Sequence, residues 1–307
     1  MRTEHRTEYR EEPCRSALNR VRGMMFEWSL NPYMGCAHRC TFCYVRSFER
    51  RADRPWDGRY GTSIRVKTNV AAVLRTELSR RSWTGAEVAI GAATDPYQPA
   101  EGRYRLTRAC LEAFKDHSNP FGIITRGPLV VRDRDLLQDA SARAKVYVHL
   151  SIPTLDEELW RATEPGTAPP RQRLRAVRML AEAGIRVGVA MAPLLPGLSD
   201  TPRSMSAVVR AAREAGATSL WAGLLHLQPG TREHFFDELG RWWPQERTRL
   251  EALFGARVYL EAARGREVGE RLKVLRERTP RRDDLPPPIQ PPAHEPPAFA
   301  TQLGLAL

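Results

Sequence analysis

The stretch Asn31-Pro32-Tyr33-Met34-Gly35-Cys36-Ala37-His38-Arg39-Cys40-Thr41-Phe42-Cys43-Tyr44 holds three of the chain's five cysteines at C-x3-C-x2-C spacing, with no fourth nearby. Four thiolates would close a structural or electron-transfer site. Three thiolates around a four-iron cube leave one iron free for another ligand, and open metal positions do chemistry. The other two cysteines, Cys14 and Cys110, are isolated. Such usage in a chain of this length does not read as a disulfide framework and implies a reducing compartment.

Working outward, the apolar run Met25 to Leu30 reads as a strand leading straight into the cysteine loop. Apolar runs then alternate with amphipathic stretches about six times, the pattern of βα units around a parallel sheet. Further strands are expected at Glu87–Ala92, Phe121–Ile124, Lys145–Ile152, Ile185–Ala192 and Ser219–Leu227. Helices fall between them. One follows Asn69 as N-cap, one carries Leu106, Cys110 and Phe114 on its inner face, and one runs near Asp133 to Ala142. Another carries Leu174, Val177 and Leu180 and ends at Gly184, and the next is capped by Thr201 and opened by Pro202. Cys110 on its apolar face reads as core packing. His149, between Val148 and Leu150, reads as a hydrogen-bonded core histidine.

The flanks differ from this body. Residues 1–24 are polar without a sustained period and read as an N-terminal arm packing loosely on a catalytic core at 25–240. Residues 241–279 read as a helical extension, with a short strand expected at Arg257–Leu260 and a last charged helix to about Arg278. From 280 to 307 repeated prolines exclude helix and inner strand and read as a disordered or polyproline tail.

In a chain of 307 residues, 42% are hydrophobic and 27% charged, which excludes wholesale disorder. The net charge is +12, a balance that favours polyanionic partners. However, only Lys67, Lys115, Lys145 and Lys273 are lysines among 48 basic residues, an arginine skew that a GC-rich genome also produces. The N-terminus lacks an apolar signal core, and no run is long enough to cross a bilayer, so a cytoplasmic protein without membrane contact is expected. The oligomeric state is not readable.

A competing reading of the cysteines is structural zinc, with His38, His149 or His226 as fourth ligand. Zinc sites usually pair two ligand knuckles, and this chain has one. With Phe42 ahead of the last cysteine and a strand ahead of the first, the loop instead resembles that of the radical S-adenosylmethionine (SAM) superfamily. Asn31-Pro32-Tyr33 and Tyr44 are similar to the spore photoproduct lyase group within it. So are Ala93-Thr94-Asp95-Pro96-Tyr97-Gln98-Pro99-Ala100-Glu101, Ile124-Thr125-Arg126, His149-Leu150-Ser151-Ile152, Glu164-Pro165-Gly166-Thr167 with Arg173, and Pro193-Leu194-Leu195-Pro196-Gly197.

The resemblance implies an α/β fold, a partial (β/α)6 barrel of TIM type with a C-terminal helical extension. It also implies a 4Fe-4S cluster on Cys36, Cys40 and Cys43 that reductively cleaves SAM to a 5′-deoxyadenosyl radical, with an electron donor such as a flavodoxin or ferredoxin. By position in the family, Phe42 and Tyr44 are candidates to line the adenine, Thr94 and Asp95 to face the methionine ammonium, Arg126 to grip its carboxylate, and Ser151 to bond the ribose. Arg173 is expected to pair with Glu164 and fix a loop. The lyase itself carries a hydrogen-donating cysteine just past strand two, where this chain reads Gly91-Ala92-Ala93-Thr94-Asp95. The substrate stays open between a nucleic-acid base or lesion, a peptide or small metabolite, and, without catalysis, a zinc-stabilised nucleic-acid-binding module.

Overall fold

A chain that alternates apolar strands with amphipathic helices must cover both sheet faces, and the computed structural model, which describes residues 7–279, does so. Its elements run β1 (Glu8–Glu12), β2 (Leu18–Arg20), β3 (Trp28–Leu30), β4 (Tyr33–Met34), α1 (Val45–Arg51), β5 (Ser63–Lys67), α2 (Val70–Leu78), β6 (Val88–Ile90), α3 (Pro99–Tyr104), α4 (Leu106–Asp116) and β7 (Phe121–Thr125). A 3-10 turn (Pro128–Asp133) then leads to α5 (Arg134–Ser141), β8 (Val146–Ser151), α6 (Glu157–Thr163), α7 (Pro170–Glu182), β9 (Val187–Leu194), α8 (Pro202–Glu214), β10 (Ser219–Leu224), α9 (Thr231–Trp242), α10 (Pro244–Phe254) and α11 (Ala262–Arg278). The proline-rich tail expected from 280 lies outside the described residues.

The main sheet has the order β10-β9-β8-β7-β6-β3-β2. All its pairs are parallel except β2 against β3. Six parallel strands follow one another in chain order, and β10 does not return to β3, so the barrel is open, as the family resemblance implies. Register places Leu30, Ile90, Ile123, Val148 and Val187 in one row across the sheet, and each is fully buried. Cys110 lies in the same apolar core, and His149 meets Ser219 Oγ at 3.0 Å. Among the described residues, no helix is long and apolar enough to cross a membrane.

The N-terminal segment differs from the loose arm expected. β1 pairs in parallel with β5, and β4 closes a second, three-stranded sheet on the other side of β5. The Glu77 carboxylate accepts from Ala17 N, Leu18 N and Ser16 Oγ, which ties residues 16–18 to α2. Asn69 caps α2 by position only. Its amide instead bridges Cys14 N and Cys14 O, at 2.7 and 3.0 Å. Polar side chains of the body thus hold a segment whose own apolar period is too weak to read.

The first barrel strand is shorter than expected. Residues 21–27 form a turn closed by Val21 N to Glu27 O at 2.7 Å, so Met25 is solvent-exposed and Met24 and Phe26 face a cavity. The strand expected at Arg257–Leu260 does not form. Leu227 N donates to Val258 O, but no ladder follows. Thr201 does cap α8, accepting from Ser204 N. Helices α9 and α10 build a second apolar cluster with Phe235, Phe236, Leu250 and Phe254, and this cluster reaches Cys40 and Phe42. The C-terminal helices therefore back the cysteine loop.

Candidate active site

Each parallel strand ends at one cavity of about 330 Å³, and the carboxyl ends of barrel strands are where such folds place their chemistry. The loop after β3 supplies the cysteines, that after β6 supplies Ala92 to Asp95, and β7 ends in Ile124 to Arg126. Ser151 closes β8, Ala192 and Pro193 come from β9, and Trp221 and Gly223 to His226 from β10 and its loop. All nine residues singled out from the sequence line this one cavity: Cys36, Cys40, Phe42, Cys43, Tyr44, Thr94, Asp95, Arg126 and Ser151.

Backbone geometry shapes the cysteine loop. Gly35 has φ +84 and Arg39 φ 52, both left-handed and so costly for most residues. A Cβ on Gly61 would meet Cys36 O at 2.3 Å, so the segment behind the loop must carry glycine there. Gln98, fully buried, clamps the first ligand on both sides. It accepts from Ala37 N at 2.9 Å and donates to Gly35 O at 3.1 Å. Thr94 Oγ1 donates to Gly35 O at 2.6 Å and accepts from Gln98. Its hydroxyl therefore holds the loop. Asn31 accepts from Ala93 N, and Tyr33 donates to Glu101, which explains why the residues ahead of the cysteines carry a signature.

Replacing Gln98 by leucine strands these buried partners, at about 1–3 kcal/mol for an unsatisfied group. The variant is expected to unfold earlier and to retain less iron after gel filtration. Iron retention equal to wild type would show that the clamp is dispensable.

Asp95 is engaged by the protein itself. It accepts from Thr125 Oγ1 and Arg126 N at 2.6 Å each and from Tyr97 N at 2.9 Å, and His38 Nδ1 lies 3.3 Å away. Burial alone would raise its pKa, but His38 and these donors hold it at about 2. Burial opposes charge on His38 too, yet Asp95 and Cys36 raise its pKa to about 10. A carboxylate offers about four acceptor sites, and three of them here fix the segment after β6 and tie it to the end of β7.

Arg126 packs its guanidinium 5.4 Å from the Phe42 ring, donates from Nε to Glu164 at 3.1 Å and from Nη2 to Ala192 O at 2.9 Å. Its Nη1 makes no hydrogen bond among the described residues. Glu164 also takes Arg173, which is fully buried and further donates to Ser151 O, Ala168 O and Thr167 Oγ1. Burial works against charge on both partners, but Cys40 and Glu164 keep Arg126 protonated, and the two arginines lower the Glu164 pKa. Thus Arg173 pairs with Glu164 as expected from the sequence, and the pair supports Arg126 from below. The Ser151 hydroxyl faces the cavity without a protein partner among the described residues.

The thiols sense one another. Burial raises the pKa of Cys40 and Cys43 first, and the negative charges of the neighbouring cysteines add to it. Iron supplies the compensating positive charge. Among the described residues no group of three or more His, Cys, Asp or Glu side chains is placed to hold a single metal ion.

A model of the radical SAM superfamily matches residues 30–207, more than half of the chain. The chain belongs to the radical SAM superfamily. Relatives include the uncharacterized protein Rv2578c of Mycobacterium tuberculosis, 37% identical over 270 residues that make up 87% of this chain and 79% of the relative. The uncharacterized protein ORF301 of Acidianus two-tailed virus is 31% identical over 65% of this chain and 67% of its own. Among solved structures, a spore photoproduct lyase mutant with bound AdoMet and dinucleoside spore photoproduct superposes with a TM-score of 0.63 at 17% identity, covering 88% of this chain and 78% of the lyase. That likeness is one of fold, a partial barrel with helices at its C-terminal end.

Radical SAM proteins use a 4Fe-4S cluster and SAM, and they need a reductant. The residues present fit both: three thiolates on one cavity wall, an arginine with a spare donor beside them, and a free serine hydroxyl. Cys36, Cys40 and Cys43 would hold the cluster. Neither Cys14 nor Cys110 lines the cavity. Replacing both, Cys14→Ser with Cys110→Ala, is expected to cost stability of about 0.5–3 kcal/mol while leaving SAM cleavage at the wild-type rate, measured as 5′-deoxyadenosine by chromatography.

Proposed function

We propose that this radical SAM protein is an enzyme acting on a nucleic-acid base or base lesion. The observation that carries the reading is the group of aromatic residues lining the same cavity as the cysteines. Phe26, Tyr44, Trp221 and His226 line the cavity, and His226 stacks on Tyr259 at 5.4 Å with planes 21° apart. Tyr259 is 62% exposed, so the stack runs from the cavity to its rim. Splayed bases bind by stacking on such rings, and the charge of +12 suits a phosphate backbone.

When bound, the cluster and SAM supply a reductively generated 5′-deoxyadenosyl radical that takes hydrogen from carbon. The protein's part is placement and exclusion. Phe42 and Tyr44 flank the last ligand and offer apolar surface to the adenine. Arg126 presents Nη1 to the methionine carboxylate, and Ser151 offers its hydroxyl to the ribose. Tyr44 donates to Ala92 O, which fixes its ring at the cavity wall. No thiol beyond the three ligands lines the cavity, so hydrogen return to product differs here from a cysteine-based route. A flavodoxin or ferredoxin is the proposed electron donor.

Fluorescence anisotropy with single-stranded and duplex oligonucleotides tests the substrate class. Micromolar binding that weakens steeply between about 50 and 200 mM salt, and that drops on Trp221→Ala, is expected. Absence of salt-dependent binding would favour a peptide or small metabolite.

A further inference from the structure

Behind the third cysteine lies a buried phenol that the sequence did not single out. Tyr60 is 2% exposed, and its hydroxyl stands 3.6 Å from Cys43 Sγ. A phenol with an ordinary pKa near 10 is a donor at neutral pH, and a thiolate is an acceptor only, so the proton lies between oxygen and sulfur with the oxygen donating. The position is built rather than incidental. The Arg46 guanidinium, 1% exposed, lies 4.6 Å from the Tyr60 ring centroid. It also donates to Trp56 O at 2.7 Å, Asp57 O at 2.6 Å and Cys40 O at 3.3 Å. One arginine thus joins the segment carrying Tyr60 to the loop carrying the ligands. From the other side, Thr231 Oγ1 donates to Cys43 O at 3.0 Å.

We propose that Tyr60, held by Arg46, is a positioning residue that sets the reduction potential of the cluster through its hydrogen bond to the Cys43 sulfur. The inference rests on the radical SAM assignment. Reduction adds one electron, drawn from a one-electron donor such as a flavodoxin-type protein or dithionite. The added negative charge spreads over the cluster and its thiolates, and no bond or proton changes hands. A fixed O–H dipole at one sulfur and a buried guanidinium beside it stabilise the more negative, reduced form, because hydrogen bonds to sulfur and local charge are among the terms that tune such centres. Removing the donor makes reduction harder. Of the other residues in this cluster, Val45, Ala93 and Cys36 carry no hydroxyl, and the Tyr44 hydroxyl is committed to Ala92 O.

The test is an EPR-monitored potentiometric titration of the anaerobically reconstituted full chain without SAM, so that reduction is not followed by SAM cleavage, on wild type, Tyr60→Phe and Tyr147→Phe. Tyr147 donates to Glu87 instead and serves as a hydroxyl-deletion control. In Tyr60→Phe the reduction equilibrium constant is expected to fall by up to tenfold, a negative shift of about 59 mV for one electron, at unchanged iron content; Tyr147→Phe stays at the wild-type potential. Tyr60→3-fluorotyrosine, a stronger donor of nearly the same volume, is expected to shift the potential the opposite way, which keeps the test open should the phenylalanine variant fold poorly. An unshifted potential in either Tyr60 variant would overturn the inference. So would loss of iron in folded Tyr60→Phe, which would assign the hydroxyl to cluster retention. Failure of the wild-type chain to assemble a cluster would be a failure of the radical SAM reading itself, visible in its iron content before any titration.

Discussion

Alanine at Cys40 abolishes iron binding in a 4Fe-4S stoichiometry and reduces 5′-deoxyadenosine formation to background, while the chain stays folded. This is the expected result, and it holds equally for Cys36 and Cys43. The reason is geometric. Each of the three thiolates would hold one iron, so loss of any one would leave two irons without a protein ligand instead of one. Cys40 is also the ligand most enclosed by protein, at 7% exposure and packed with Phe42, Leu159 and Phe235. Its truncation removes little apolar surface, so circular dichroism and the melting curve of the cluster-free chain should stay close to wild type. Iron content near wild type in Cys40→Ala, measured with 5′-deoxyadenosine yield, would remove Cys40 from the ligand set.

Arg173→Met is expected to be the most destabilising single change outside the apolar core. Arg173 is fully buried, pairs with Glu164, and donates to Ser151 O and Thr167 Oγ1 at 2.8 and 2.6 Å. Removing one partner of a buried pair leaves the other uncompensated, at about 3–5 kcal/mol. The double variant Glu164→Leu with Arg173→Met should recover part of that loss, although Arg126 then lacks its carboxylate partner. Chemical denaturation of the three proteins measures the coupling. A loss below about 1 kcal/mol, the range of exposed pairs, would mean that the pair is far more hydrated than the structure places it.

Much of the barrel was legible because its strands are continuous apolar runs with helix stops at fixed places. Gly184 and Pro202 marked their helix boundaries for reasons that belong to the residues themselves. The small sheet was not legible. β5 alternates Ile64 and Val66 with polar residues over only five positions, a strand signal too short to stand out beside the longer apolar runs, and β1, with one aromatic in Glu-Tyr-Arg-Glu-Glu, has no period at all. Their pairing is a backbone ladder between segments about 55 residues apart, which no local pattern announces.

The cavity residues were legible through motif position, but their tasks were not. Position in the motif points Thr94 and Asp95 toward a ligand's ammonium, and only the structure adds that their side chains also bond Gly35, Thr125 and Arg126. Gln98 sat in a quoted motif and escaped notice, because a glutamine's role depends on which backbone groups come within reach of its amide. Tyr60 and Arg46 carried no pattern at all. A signal for them exists only in three dimensions, as a buried phenol and a buried guanidinium behind the ligand loop.

The most direct test of the central claim is metal and sulfide analysis with Mössbauer spectroscopy of the anaerobically reconstituted wild-type chain, before and after SAM is added. About four irons and four sulfides per chain are expected, with one iron site whose signal changes on SAM binding. A single tightly held zinc, or a cluster in which no iron site responds to SAM, would contradict it.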